Sequence, residues 1–178
     1  MKRKLSIFLV MVVVLSLIIA APAGAMKPQS ALTGDMELYF NLGFGQATAC
    51  SDIVWAGTVE LNGDLYGMAF FPTGEKNVGK VHHFWEDWKI YDTPFAFAGG
   101  VLTECTPGAV VLAGYDSGVS SPNDTYRMNG VVKEAFDPFE EWDGRRVHMS
   151  GVITWQVLPT PEGDVVVPAT GPGTLRLN

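Results

Sequence analysis

The sequence has few cysteines and a deficit of positive charge. Its two cysteines, Cys50 and Cys105, lie far apart and form no C-x-x-C pair, which excludes zinc-ribbon and thioredoxin-type redox motifs. With 12 basic against 19 acidic residues, the net charge is −7. No basic stripe is present that could displace counterions from phosphates, so we expect no nucleic-acid partner.

The sequence also lacks the common signatures of nucleotide-dependent and metal-dependent enzymes. It contains no P-loop, no H-E-x-x-H pair, no G-x-S-x-G and no glycine-rich dinucleotide fingerprint. Only three histidines occur, and His148 falls on the polar face of its predicted strand, so a three-histidine site is not expected. We predict neither a metal nor a cofactor.

The longest apolar run lies at the N-terminus. Basic residues at positions 2–4 precede an uncharged run over residues 5–21, and a small-x-small site follows at 23–25. This order predicts a secretory signal peptide over residues 1–25 and an extracytoplasmic location. The alternative is an uncleaved helix that anchors the chain, because the run is close to the shortest length that spans a bilayer. A membrane is expected as a partner only in that case.

The remainder of the chain has the length of one domain. Residues 26–33 form a short polar lead-in, and residues 34–178 are predicted to form a single domain. Cleavage would remove three positive charges and no acid, which takes the net charge from −7 to −10. In an oxidising compartment Cys50 and Cys105 are predicted to form a disulfide, which stabilises the fold by about 4 kcal/mol in the chain-entropy model. The alternative is two free buried thiols.

Runs rich in β-branched and aromatic residues alternate with Gly, Pro, Asn and Asp after residue 33, a pattern typical of an all-β domain. The clearest local signal is Asn62-Gly63 between two apolar runs, which predicts a tight hairpin. Residues 72–76, 117–124 and 159–173 are predicted to be breaks or loops. The predicted strands cover residues 35–42, 53–61, 65–71, 79–91, 95–104, 109–116, 125–136, 146–158 and 174–177.

About eight or nine short-turn strands must protect their edges, and closure into a barrel removes edges altogether. We predict a single antiparallel β-barrel, with a two-sheet β-sandwich as the alternative. The barrel resembles calycins and lipocalins in architecture alone, which implies nothing about function. Residues 137–144 carry a short helical signal, from Asp137-Pro138 to Gly144, that predicts one or two helical turns or a tight turn.

The stretch VHHFWEDWKIYD, residues 81–92, fits two periods. With period two, one face carries His82, Phe84, Glu86, Trp88 and Ile90. With period 3.6, residues 81, 84, 85 and 88 form a helical stripe. We predict a strand because the residues favour β structure and the preceding Gly79 region offers a poor helix cap. In a strand, residues four apart are separated by about 13 Å and cannot share one metal ion.

As a strand, this stretch turns its more apolar face inward and takes His82 and Glu86 with it. Glu134 shares a predicted inward face with Met128 and Val132. These polar groups are either satisfied inside a solid core or line a cavity, where desolvation raises a carboxyl pKa. The predicted ligand-binding residues are His82, Phe84, Glu86, Trp88, Glu134, Trp55, Tyr66, Phe70 and Trp155.

Three functions remain open at this point. The first is a secreted barrel that binds a small apolar or aromatic ligand in its interior. The second is a structural or interaction module of the cell envelope with a solid core, for which the loop over residues 159–173 is a contact segment. The third is a cofactor-free cyclase or isomerase in which His82, Glu86 and Glu134 transfer protons.

Overall fold

The computed structural model describes residues 30–178, so the predicted signal peptide and most of the lead-in lie outside the described residues. Ala31–Asn178 form one compact unit. This unit contains twelve strands and one short 3-10 helix, Glu140–Trp142. In chain order the strands are β1 (Leu32–Phe40), β2 (Trp55–Leu61), β3 (Asp64–Val78), β4 (Val81–Tyr91), β5 (Phe97–Ala98), β6 (Val101–Leu102), β7 (Val110–Ser120), β8 (Thr125–Ala135), β9 (Arg146–Val152), β10 (Trp155–Thr160), β11 (Gly163–Pro168) and β12 (Gly173–Leu177).

Eight strands close into an antiparallel barrel, which confirms the predicted fold class. Their order around the barrel is β1, β12, β9, β8, β7, β4, β3 and β2, and β2 pairs with β1 to complete the ring. Each strand pairs with its nearest barrel neighbours along the chain, so the barrel is an up-and-down meander. The other four strands form two separate ribbons, β5–β6 and β10–β11.

Tight turns explain why adjacent strands pair. Asn62 and Gly63 both adopt positive φ, at 56° and 89°, and join Leu61 to its partner Asp64. This is the two-residue hairpin that the Asn-Gly pair predicts. The expected break at residues 72–76 is wrong: β3 continues to Val78, and a register shift between Pro72 and Gly74 interrupts its pairing with β4. Such a bulge accommodates proline, which has no N–H for the ladder.

The predicted strand over residues 146–158 is also wrong in its second half. β9 ends at Val152, and the chain resumes at Trp155 in the β10–β11 ribbon. At this break the Ile153 N–H donates to the Asp124 carbonyl, outside the barrel ladder. Residues 159–173, predicted to be a loop, therefore contain β11, and residues 117–120 extend β7 rather than begin a loop.

One end of the barrel is closed by the connection between β8 and β9. This connection contains the 3-10 helix, in agreement with the predicted helical turn, and it buries Phe139 and Trp142. The Phe139 ring packs edge-on against Tyr66, with centroids 5.4 Å apart. Phe139 and Trp142 both belong to the main core cluster, together with Leu61 and Val147 from neighbouring strands.

A second, smaller core lies on the outer face of β2, β3 and β4. Ala56, Ala69 and Tyr91 contribute to it, and the loops after β1 and around β5–β6 cover it. Cys50 and Cys105 join these two loops by the predicted disulfide, with Cα atoms 5.3 Å apart. No helix among the described residues has the length and apolar character needed to cross a membrane.

Candidate functional site

A cavity of about 470 Å³ occupies the end of the barrel opposite the 3-10 helix. Its walls come from the ends of β1, β3 and β7 and the beginnings of β2, β4 and β8, which all meet at this end of the meander. Its volume falls in the range of pockets that hold small molecules. The lining residues are mostly apolar or aromatic: Leu38, Phe44, Val54, Trp55, Phe70, Pro72, Thr73, Gly74, Glu75, His82, Phe84, Glu86, Ser120, Tyr126, Met128, Ile153 and Gly171.

The stretch over residues 81–91 is strand β4, as predicted, and not a helix. From Glu86 onward its burial alternates: Glu86, Trp88 and Ile90 are buried and the residues between them are exposed. The face that carries these three side chains is the barrel interior. The inward orientation of this face follows from its apolar character, since a strand sends alternate residues to opposite sides.

The inner faces of β4 and β7 fit together residue by residue. Phe84 lies opposite Gly118 and Trp88 lies opposite Gly114. A Cβ atom at either glycine would come within 2.4 Å of the facing aromatic ring, so the two rings occupy the space that glycine leaves free. Between these two pairs, Glu86 lies directly opposite Asp116. Two carboxyl groups thus face each other inside the barrel, between two aromatic rings.

Both carboxyl groups are withdrawn from water. Glu86 is 7% exposed and Asp116 is 2% exposed. Burial, and secondarily the charge of Asp116, raises the pKa of Glu86 to about 8. Burial, and secondarily the charge of Asp87, raises the pKa of Asp116 to about 7. Since desolvation penalises the charged form of an acid, Glu86 retains its proton at neutral pH.

The two carboxyl groups lack protein partners among the described residues. Neither oxygen of Asp116 has a hydrogen bond, and the buried Trp88 Nε1 also has none. The Glu86 side chain makes no hydrogen bond or ion pair with any described residue, and it lines the cavity. Buried polar groups without partners are uncommon in folded proteins and call for an explanation.

Tyr126 on β8 forms another part of the cavity wall. Its hydroxyl donates a 3.0 Å hydrogen bond to the Gly171 carbonyl, and its ring lies against Gly151 and Gly173, where no side chain could fit. Burial, followed by the charge of Glu86, raises the pKa of Tyr126. Tyr126 is therefore a neutral, fixed wall that contributes an aromatic ring to the cavity.

His82 lies at the mouth, where the β3–β4 hairpin extends beyond the barrel. Its Nε2 is 3.1 Å from a Glu75 carboxylate oxygen, and the His82 and Glu75 side chains are 38% and 75% exposed. The His82 ring also packs near Phe84, with centroids 5.8 Å apart. His82 is thus paired with Glu75 rather than with Glu86.

The structure brings together five of the nine predicted ligand-binding residues. Trp55, Phe70, His82, Phe84 and Glu86 all line the cavity. Two others lie inside the barrel without lining it. Trp88 is fully buried beside Glu86, and Tyr66 packs at the closed end against Phe139.

The remaining two predicted residues do not face the interior. Glu134 is exposed because β8 has a register shift opposite Ala113 and Gly114, which leaves Lys133 as an extra residue. A bulge of this kind reverses the inward and outward alternation beyond it. Trp155 is 50% exposed because it belongs to the β10–β11 ribbon, where its Nε1 donates to Asp124 Oδ1 at 2.8 Å.

Sequence reasoning missed Asp116. Its strand was predicted to end at this residue, and the alternation of Leu112, Gly114, Asp116 and Gly118 on one face was not recognised. The signal was the pair of glycines, because glycine inside a strand often marks the close approach of another group. Here that group is the aromatic pair of β4.

The protein is thus an eight-stranded antiparallel barrel with a ligand-sized cavity at one end. Comparison of the chain with protein-family models, curated proteins and solved structures finds no match. Within residues 30–178, no three His, Cys, Asp or Glu side chains come together as a set that could hold a metal ion.

Proposed function

We propose that the protein is an extracytoplasmic β-barrel that binds a small, largely apolar or aromatic ligand in its interior. The observation that carries this proposal is the cavity of about 470 Å³, with walls such as Trp55, Phe70 and Phe84 and one buried polar group, Glu86. Small-molecule sites have this composition: apolar walls fill the volume and a few placed polar groups fix the orientation. The disulfide between Cys50 and Cys105 supports the location, because such bonds persist in oxidising compartments.

A titration with the neutral fluorophore N-phenylnaphthylamine tests the proposal. Saturable binding is expected, with a rise in probe emission and partial quenching of the tryptophan emission, to which Trp55 in the cavity wall contributes. Ser120 lines the cavity and Val119 lies next to it on the opposite face of β7. Ser120→Phe is therefore expected to block binding, while Val119→Phe is the matched control that retains it. A probe that does not bind, or that binds equally to both variants, contradicts the proposal.

The interaction module of the cell envelope is the second candidate. The observation that favours it is the β10–β11 ribbon, where Val157 and Val166 form a cross-strand pair and are 59% and 62% exposed. Exposed apolar surface of this kind is common at contact sites. The same titration separates the two candidates, because a solid-core module would bind no interior probe.

The cofactor-free enzyme is the weakest of the three. Glu86 lines the cavity, and a carboxyl group with a pKa of about 8 can act as an acid or a base near neutral pH. The two groups expected to assist it do not reach it. His82 is paired with Glu75 at the mouth, and Glu134 lies outside the barrel.

A further inference from the structure

The cavity presents an acidic group without a basic partner. Glu86 lines it and Asp116 lies directly opposite Glu86 on the next strand. Of the described residues that line the cavity, none is lysine or arginine, and the one histidine lies at the mouth, where it contacts Glu75. Buried carboxyl groups in proteins are ordinarily paired with a cation or with hydrogen-bond donors. The carboxyl pair therefore lacks a positively charged, donor-rich partner.

The walls around Glu86 suit a cation as well. Phe84 and Trp88 flank Glu86 on β4, and Trp55, Phe70 and Tyr126 supply further aromatic rings to the interior. The face of an aromatic ring carries partial negative charge and attracts ammonium groups. Aromatic rings beside a carboxylate thus provide both attraction for a cationic head and apolar contact for its hydrocarbon part.

We infer that the cavity binds a small organic cation, an amine with an aromatic or aliphatic body, whose ammonium group pairs with the carboxylate of Glu86, the buried acidic side chain in the cavity wall. This inference rests on the proposed function and specifies its ligand class. An ammonium group offers only donors, whereas the Glu86 carboxylate offers only acceptors. A neutral ligand with a carbonyl group would accept the proton of a protonated Glu86 and leave the other lone pairs of this carboxyl group unpartnered.

Proton release follows from this pairing. The unliganded protein retains a proton on Glu86 at neutral pH, and a bound cation stabilises the ionised carboxylate, so the proton is released to solvent as the ligand enters. Affinity for a permanent cation is then expected to rise as the pH approaches 8. The titratable groups facing or near Glu86 are Asp116 on β7, Tyr126 on β8, Glu75 on β3, His82 at the mouth and Asp87 on the outer side of β4.

The first experiment compares three probes of similar shape by isothermal titration calorimetry: phenethylamine, phenethyl alcohol and phenylacetate. Phenethylamine is expected to bind roughly tenfold to a hundredfold more tightly than the alcohol, as for a hydrogen bond to a charged group. Phenylacetate is expected to bind most weakly. Equal or tighter binding of the alcohol would overturn the assignment of a cation while the cavity-binding proposal survives. If none of the three probes nor N-phenylnaphthylamine binds, both proposals fail.

Substitution at Glu86 locates the effect. Glu86→Gln is expected to remove the preference for phenethylamine over the alcohol. Glu134→Gln is the matched control, because it makes the same change at an exposed side chain outside the barrel. A Glu86→Gln protein that still prefers the amine refutes the role of this carboxyl group.

A second measurement on the unsubstituted protein does not depend on any variant. Phenethyltrimethylammonium carries a permanent charge, so any proton released on its binding comes from the protein. Calorimetry in two buffers of different ionisation enthalpy measures the number of protons released per bound ligand. Release of a substantial fraction of one proton per ligand near pH 7 is expected, and binding without proton release would contradict the pairing with Glu86.

Discussion

Replacing Glu86 by glutamine is expected to stabilise the protein at alkaline pH and to change little at acidic pH. The folded protein keeps a proton on Glu86 up to about pH 8, whereas an ordinary glutamate releases it near 4.5. Folding therefore takes up a proton between these two pH values, and rising pH favours the unfolded chain across that range. The contribution of Glu86 to stability is greatest below about pH 4.5 and is lost progressively up to pH 8.

The size of the effect follows from the same two values. The difference between 4.5 and about 8 corresponds to roughly 4 to 5 kcal/mol, since each tenfold change in acidity equals about 1.4 kcal/mol. Domains of this size are stable by about 5 to 15 kcal/mol in total, so the loss is large. Glutamine has nearly the same shape as a protonated glutamate and carries no ionisable group. The glutamine variant therefore escapes this loss.

Urea unfolding followed by tryptophan emission measures the effect at about pH 5 and about pH 9. The unsubstituted protein is expected to lose several kcal/mol between these conditions and the Glu86→Gln protein much less, with Asp116 accounting for the remaining slope. Glu134→Gln, an exposed change of the same kind, is expected to follow the unsubstituted protein. Parallel pH profiles for all three proteins would refute the assignment of Glu86 as a buried protonated acid.

Three further substitutions test the framework of the site. Asn41→Ala is expected to cost about 3 kcal/mol in thermal or urea unfolding, because the buried amide bonds the Cys50 and Ile53 carbonyls and accepts from two backbone N–H groups. Replacing both Cys50 and Cys105 by alanine is expected to lower the free energy of unfolding, measured in guanidinium, by about 4 kcal/mol. A decrease of less than about 1 kcal/mol would contradict the predicted role of the disulfide. Gly114→Ala is expected to cost about 2 to 3 kcal/mol of stability, because the added Cβ would lie 2.4 Å from the Trp88 indole. The near-UV circular dichroism of Trp88 is expected to change as well. An unchanged spectrum and stability would refute this packing.

The fold was predictable because its signals are local. The Asn62-Gly63 pair determines one hairpin through its backbone conformation, and the period-two pattern of β4 places Glu86 and Trp88 inside the barrel. The disulfide was predicted from the number of cysteines and from the compartment that the N-terminal run predicts. The hairpin and the pattern of β4 depend on residues that are close in sequence. The disulfide depends on the presence of two cysteines, which within one chain can pair only with each other.

The incorrect predictions have a common physical cause, the irregularities that interrupt a strand. The extra residue Lys133 turns Glu134 outward, and the break after Val152 removes Trp155 from the barrel. A single inserted residue reverses the alternation beyond it, and the composition of the strand does not indicate where the insertion occurs. The partner of Glu86 was missed for a related reason, since strand pairing brings Asp116 to it from 30 positions away.

The closure of one barrel end by Phe139 and Trp142 has a kinetic consequence. A molecule in the cavity has the same passage for arrival and departure, past the β3–β4 hairpin and Ser120. A competitor cannot enter through the closed end while the first ligand is bound, so the first ligand must dissociate before the second can bind. The rate at which one ligand replaces another is then limited by dissociation of the first, and adding more competitor will not accelerate it.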